Sequence, residues 1–147
     1  MAGAVTAAKM IEALGGARAL RHSPRSLDGL REQVREGLPY AVLEAVIRRV
    51  ALSQEDVAHV LDLPPRTLAR RKAEQRLRAD ESDRLFRLGR IATLAEDVLG
   101  SQEKSVRWLH APNRALGNQV PLRRLDTDLG ARQDEDVLLR IAHGVYS

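Results

Sequence analysis

The sequence predicts an all-α protein in which a helix-turn-helix domain is followed by a small helical domain, and three observations carry that expectation. Apolar residues recur at helical spacing along most of the 147-residue chain, and no pair of alternating β-branched runs is joined by a hairpin turn. Serines and prolines that open helices, and glycines that close them, punctuate that pattern. With 44% hydrophobic residues the chain has enough apolar surface for a packed core.

Taken in order, "TAAKMIEALGG" reads as a short helix stopped by Gly15 and Gly16, because glycine readily takes the left-handed cap geometry. Residues 21–37 read as the linker, mixing His22, Ser23, Pro24, Ser26 and Gly29 with a modest amphipathic turn around Leu27, Leu30 and Val34. Gly37 and Pro39 mark a fresh start. From Tyr40 a stripe of Val42, Leu43, Val46, Ile47 and Val50 predicts a packed helix. Ser53 opens the next one: its hydroxyl suits the backbone N–H three residues on, and Glu55 and Asp56 suit the positive end of the helix dipole. Further helices are predicted near 80–99, stopped by Gly100; near 102–110, opened by Ser101; near 121–125, opened by Pro121; and near 129–143, stopped by Gly144. "APNRALGNQV" is the longest loop. Phe86 beside Leu85 and Leu88, and Trp108 beside Leu109, read as core.

Within "LSQEDVAHVLDLPPRTLARRK" the spacing is that of a helix-turn-helix. A small residue at Ala58 lets two helices cross closely, Asp62 takes the corner, and Leu63 and Leu68 plug the second helix onto the first. Pro65 falls at the first helical position, where a missing N–H costs nothing. With Leu68 facing inward, Arg66, Thr67, Ala69 and Arg70 face solvent from the turns that meet base edges in this motif. Arg66 and Arg70 are the predicted base readers, since a guanidinium donates two hydrogen bonds to guanine. Arg71 and Lys72 are assigned to phosphates and Gln54 to the DNA backbone, contacts that add affinity without sequence information.

Charge supports the same element. Residues 64–78 hold six basic side chains against one acidic, a local +5 within a total of +4, so the rest of the chain is nearly neutral. One basic element on a neutral body is the footprint of a nucleic-acid contact. From Asp126 onward five acids outnumber two arginines.

Other chemistries lack their residues. The absence of cysteine excludes disulfides, thiolate metal sites and a cysteine nucleophile. The four histidines, at 22, 59, 110 and 143, fall at no metal-binding spacing, and no glycine-rich phosphate loop is present; neither a cofactor nor an enzymatic activity is expected. With 30% charged residues and no long apolar run, the composition predicts a cytoplasmic protein without a membrane span.

Several motifs, in order, resemble one known family. "GLP" (37–39), "RTLARR" (66–71), "ESDRLFRL" (81–88), "WL" (108–109), "PNRALG" (112–117), "PLRRLDTDLGAR" (121–132) and the final "RIAHGVYS" are similar to the Xre/MbcA/ParS antitoxins, whose toxins carry the RES domain. The sequence departs from that pattern at "GNQV" and at Asp134, where an apolar residue is usual. The resemblance implies a variable helical region over 1–36, an Xre-like helix-turn-helix domain over 37–100 and a toxin-binding domain over 101–147. It further implies a cognate RES-domain toxin that consumes NAD⁺, an antitoxin that blocks it, and repression of their shared promoter through operator DNA. By that resemblance the C-terminal end reaches the toxin's cleft, with Arg140, His143, Gly144, Val145, Tyr146 and Ser147 as the toxin-binding residues. Because a helix-turn-helix protein reads two half-sites, a homodimer is expected, and a hetero-oligomer with toxin. The competing reading is a stand-alone helix-turn-helix regulator whose C-terminal half senses a ligand.

Overall fold

The computed structural model describes residues 5–144. Among these residues there are eight α-helices and no strand: α1 (Ala7–Ala13), α2 (Leu27–Glu36), α3 (Tyr40–Val50), α4 (Gln54–Leu61), α5 (Pro65–Glu74), α6 (Ala79–Leu99), α7 (Gln102–His110) and α8 (Asp128–Ala142). Side-chain oxygens of Thr6, Ser26, Ser53, Ser101 and Thr127 accept from backbone N–H groups that the first turns of α1, α2, α4, α7 and α8 cannot pair internally. At Ser53 the capping is reciprocal, because Asp56 returns a bond to the Ser53 N–H at 2.9 Å.

Two elements differ from the sequence reading. The segment read as a linker is helical over its second half, where Ser26 caps α2 and Leu30 and Gln33 are buried. Gln33 fixes the preceding loop by accepting from the Arg21 N–H at 3.0 Å. Pro121–Asp126 winds as a 3₁₀ helix, the tighter form, instead of the α-helix read from the sequence.

Helix α6 is the spine. Leu85, Leu88, Ile91, Ala92, Leu94 and Ala95 are buried along it, and one contiguous apolar core runs from Met10 to Leu138. Because its apolar residues are not confined to one face, α6 packs against α1, α2, α4, α7 and α8 at once. Trp108 and Phe86 are only partly buried against this core. Arg49 of α3 makes a bidentate pair with Glu96 of α6 at 2.8 and 2.7 Å, which raises the Arg49 pKa through those hydrogen bonds.

The "GLP" stretch clamps the end of α5. Leu77 N–H donates to the Leu38 carbonyl at 2.9 Å, Tyr40 N–H to the Gln75 carbonyl at 3.0 Å, and Leu38 N–H to the Ser82 hydroxyl at 2.7 Å. Gly37 has φ +98°, and a Cβ there would lie 2.2 Å from the Leu77 carbonyl oxygen, so only glycine fits.

Candidate functional site

The corner between α4 and α5 forms as its spacing requires. Asp62 sits in the left-handed region at φ 53°, ψ 49°, and Leu63 N–H reaches back to the Ala58 carbonyl at 3.0 Å. Leu63 is buried and Leu68 is half-buried against the core. Pro64 offers no side-chain cap and Pro65 starts α5.

From α5, Arg66, Ala69, Arg70 and Lys72 are exposed and Thr67 is half-exposed. The side chains of Arg66, Arg70 and Lys72 make no ion pair among the described residues, so their charge stays available to an anionic partner. Gln54, at the first position of α4, is exposed as well.

Arg71 behaves differently, and its assignment to phosphate is corrected. It is 4% exposed, and its Nε donates to both oxygens of Glu81 at 2.8 and 3.0 Å while Nη1 meets Glu74 at 3.3 Å. Those hydrogen bonds, first of all to Glu81, raise its pKa against the opposing effect of burial. Buried and paired in this way, the guanidinium is turned away from the exposed face of α5 that Arg66 and Arg70 occupy. Glu81 serves two helices at once, because the same carboxylate accepts from Arg78 N–H at 2.8 Å and so caps α6. Arg71 therefore fastens the reading helix to the spine.

A joint invisible in the sequence links α4 to the C-terminal part. His59 Nε2 lies 2.8 Å from the Arg123 carbonyl and 3.6 Å from an Asp126 carboxylate oxygen, and Arg123 reaches Glu55 at 3.2 Å. Arg84 and Arg87 of α6 donate to the Leu61 and Leu125 carbonyls at 3.3 and 3.2 Å. These partners are tens of residues apart, so no local spacing signals them.

In α8, Arg140 is exposed without an ion pair among the described residues, and exposed His143 and Gly144 follow it. Gly144, at φ +74°, turns the chain out of the helix. Val145, Tyr146 and Ser147 lie outside the described residues. Asp134 is fully buried, and among the described residues neither carboxylate oxygen has a hydrogen bond; Oδ1 lies 3.8 Å from Arg124 Nε. Burial pushes its carboxyl up to about 7, against the opposing pull of Arg124.

Two family models match in tandem. Residues 29–90 match the Antitoxin Xre-like helix-turn-helix domain, and residues 94–144 match the Antitoxin Xre/MbcA/ParS C-terminal toxin-binding domain. The chain is 31% identical to Antitoxin Xre of Photorhabdus laumondii over 114 residues, 76% of this chain and 77% of the relative. This chain belongs to the Xre antitoxin family. It is also 28% identical to Antitoxin Xre of Yersinia enterocolitica over 120 residues, covering 80% of this chain and 81% of that one. Antitoxin Xre of Pseudomonas putida is 43% identical over 83 residues, a match spanning 56% of this chain and 52% of the relative. As an Xre-family antitoxin the chain carries a DNA-binding helix-turn-helix, to which the exposed arginines of α5 belong, and a toxin-binding domain, to which α8 belongs. Among its described residues no helix is long and apolar enough to cross a membrane.

Proposed function

We propose that this antitoxin neutralises an NAD⁺-degrading RES-domain toxin by covering its active site with the C-terminal region, and represses its own operon through the helix-turn-helix. The observation that carries this reading is the placement of the unpaired charge. Among the described residues, Arg66, Arg70 and Lys72 make no ion pair on α5, and Arg140 makes none near the end of α8, in the other matched domain. DNA and toxin therefore address different residues of one chain.

On the DNA side, Arg66 and Arg70 read bases, while Lys72 and Gln54 hold the backbone and Thr67 lines the same turn. On the toxin side, Arg140 pairs with an acid of the toxin, and the residues from His143 to Ser147 enter its cleft. There Val145 and Tyr146 supply an apolar body with a hydroxyl. That chemistry suits a pocket made for a flat ring. The RES identity of the toxin rests on the motif resemblance, and the toxin-binding role on the C-terminal family match.

The test is co-expression with the RES-domain toxin. Cells that make toxin alone lose NAD⁺ and stop growing, whereas cells that also make this chain keep both. If NAD⁺ holds steady with the toxin alone, or still collapses when this chain is co-expressed, the reading is wrong.

A further inference from the structure

The basic run over residues 64–78 continues past the reading helix, to Arg76 and Arg78 in the loop between α5 and α6. Gln75 ends α5 in the left-handed region at φ 62°, and the chain then runs extended. Arg76 forms an antiparallel bridge with Pro39, and Arg78 has φ −83° and ψ 168°. Successive side chains of an extended segment point to opposite sides. Leu77, between the two arginines, is buried, so Arg76 and Arg78 share the outer side with Cα atoms about 7 Å apart.

This loop is fastened on both sides. Leu77 N–H donates to the Leu38 carbonyl at 2.9 Å, Arg76 N–H to the Arg71 carbonyl at 3.3 Å, and Arg78 N–H to Glu81 at 2.8 Å. The acids within reach along the chain are taken: Glu74 and Glu81 by Arg71, and Asp80 by Arg84. Glu36, Glu44 and Asp83, on the flanking helices, form no ion pair with Arg76 or Arg78 among the described residues. Arg78 is exposed, and half-buried Arg76 has a covered Nε that finds no acceptor among the described residues. Arg66, Arg70, Lys72, Arg76 and Arg78 are thus one run of cations without a neutralising acid, and its last two members stand on an ordered loop.

We propose that Arg76 and Arg78 form a phosphate clamp that grips the DNA backbone beyond the turns that read bases. The proposal rests on the DNA-binding reading of α5. In a helix-turn-helix the first turns of the second helix meet base edges. The ten residues of α5 span about 15 Å, so the loop at its far end lies past those edges, on the side of the sugar-phosphate backbone. Because the loop is already ordered, little freedom is lost on contact. The clamp adds affinity and fixes orientation, and it carries no sequence information.

Titrations of the full chain with operator and with a scrambled duplex, from about 50 to about 200 mM salt, test this. Arg76→Gln with Arg78→Gln is expected to reduce the slope of log affinity against log salt by about 1.8, so that the native chain loses about 12-fold more affinity than the variant across that range. The reduction is the same on both duplexes, and Arg76→Lys with Arg78→Lys restores the slope, because a phosphate asks only for charge. Arg78→Gln alone, at an exposed position, supplies a second arm: a slope smaller by about 0.9 with an unchanged melting curve. A slope that stays native in both variants, or a loss confined to the operator, overturns the clamp. Loss of toxin co-purification at a native slope makes the toxin the partner and overturns it too. A native chain that binds neither duplex overturns the DNA-binding reading itself, whereas native binding with an unchanged variant slope overturns the clamp alone.

Discussion

Arg71 leaves the DNA-reading helix on its inner side and grips Glu81 of α6, its Nε 2.8 Å from one carboxylate oxygen and 3.0 Å from the other. Removing one member of a buried pair strands the other, at a cost of about 3 kcal/mol. Arg71→Ala is therefore expected to lower the melting temperature by about 10 °C. Its neighbour Lys72, exposed and without an ion pair among the described residues, has the opposite signature. Lys72→Ala leaves melting unchanged and reduces the slope of log affinity against log salt by about 1. Identical melting curves for the two variants would contradict the division of roles.

Asp134 imposes a pH dependence of known sign. The folded chain holds a proton on this carboxyl up to about pH 7, whereas the unfolded chain releases it near 3.8. Between those values the unfolded state binds fewer protons, so this group's contribution to stability falls as pH rises and levels off above about 7. Asp134→Asn removes the titration while keeping the shape. Its stability relative to the native chain is expected to rise by about 3 kcal/mol from pH 5 to pH 8, read from urea midpoints. Parallel pH profiles for the two chains count against a neutral carboxyl in the fold.

In the proposed function the C-terminal residues are the ones that bind the toxin. Deleting Val145 to Ser147 is expected to abolish protection against the toxin and to leave operator affinity within about twofold, a change under 0.5 kcal/mol. Growth on toxin induction, paired with a DNA-binding titration of the purified variant, checks this. A truncated chain that still protects cells removes the tail from the mechanism.

The sequence and the structure agree where the signal is local. The left-handed corner at Asp62, the caps at Ser53 and Ser101 and the stop at Gly100 depend on neighbours within a few residues, and all are in place. Helix α2 is hard to read because Pro24, Ser26 and Gly29 dilute a stripe of only three apolar residues, and its packing partner α6 lies far along the chain. The inward turn of Arg71 does leave a trace in the sequence. It falls three residues after Leu68 and so shares that inward face, and Glu81 is an acid within reach. The contact of His59 with the Arg123 carbonyl, 64 residues away, has no counterpart in local spacing. The burial of Asp134 breaks the rule that a core position is apolar; the departure from the family pattern marks the position, and packing shows that the carboxyl is buried there.

The claim on which the account turns is that DNA and toxin are held by different residues of one chain. The most direct measurement combines Arg66→Ala and Arg70→Ala in one variant, then measures operator affinity and toxin neutralisation on the same folded preparation. Each arginine is expected to be worth about 1 to 3 kcal/mol of base discrimination, so specific operator binding falls at least about 30-fold, while neutralisation stays at the native level. Retained operator affinity, or equal loss of both activities in a folded variant, contradicts it.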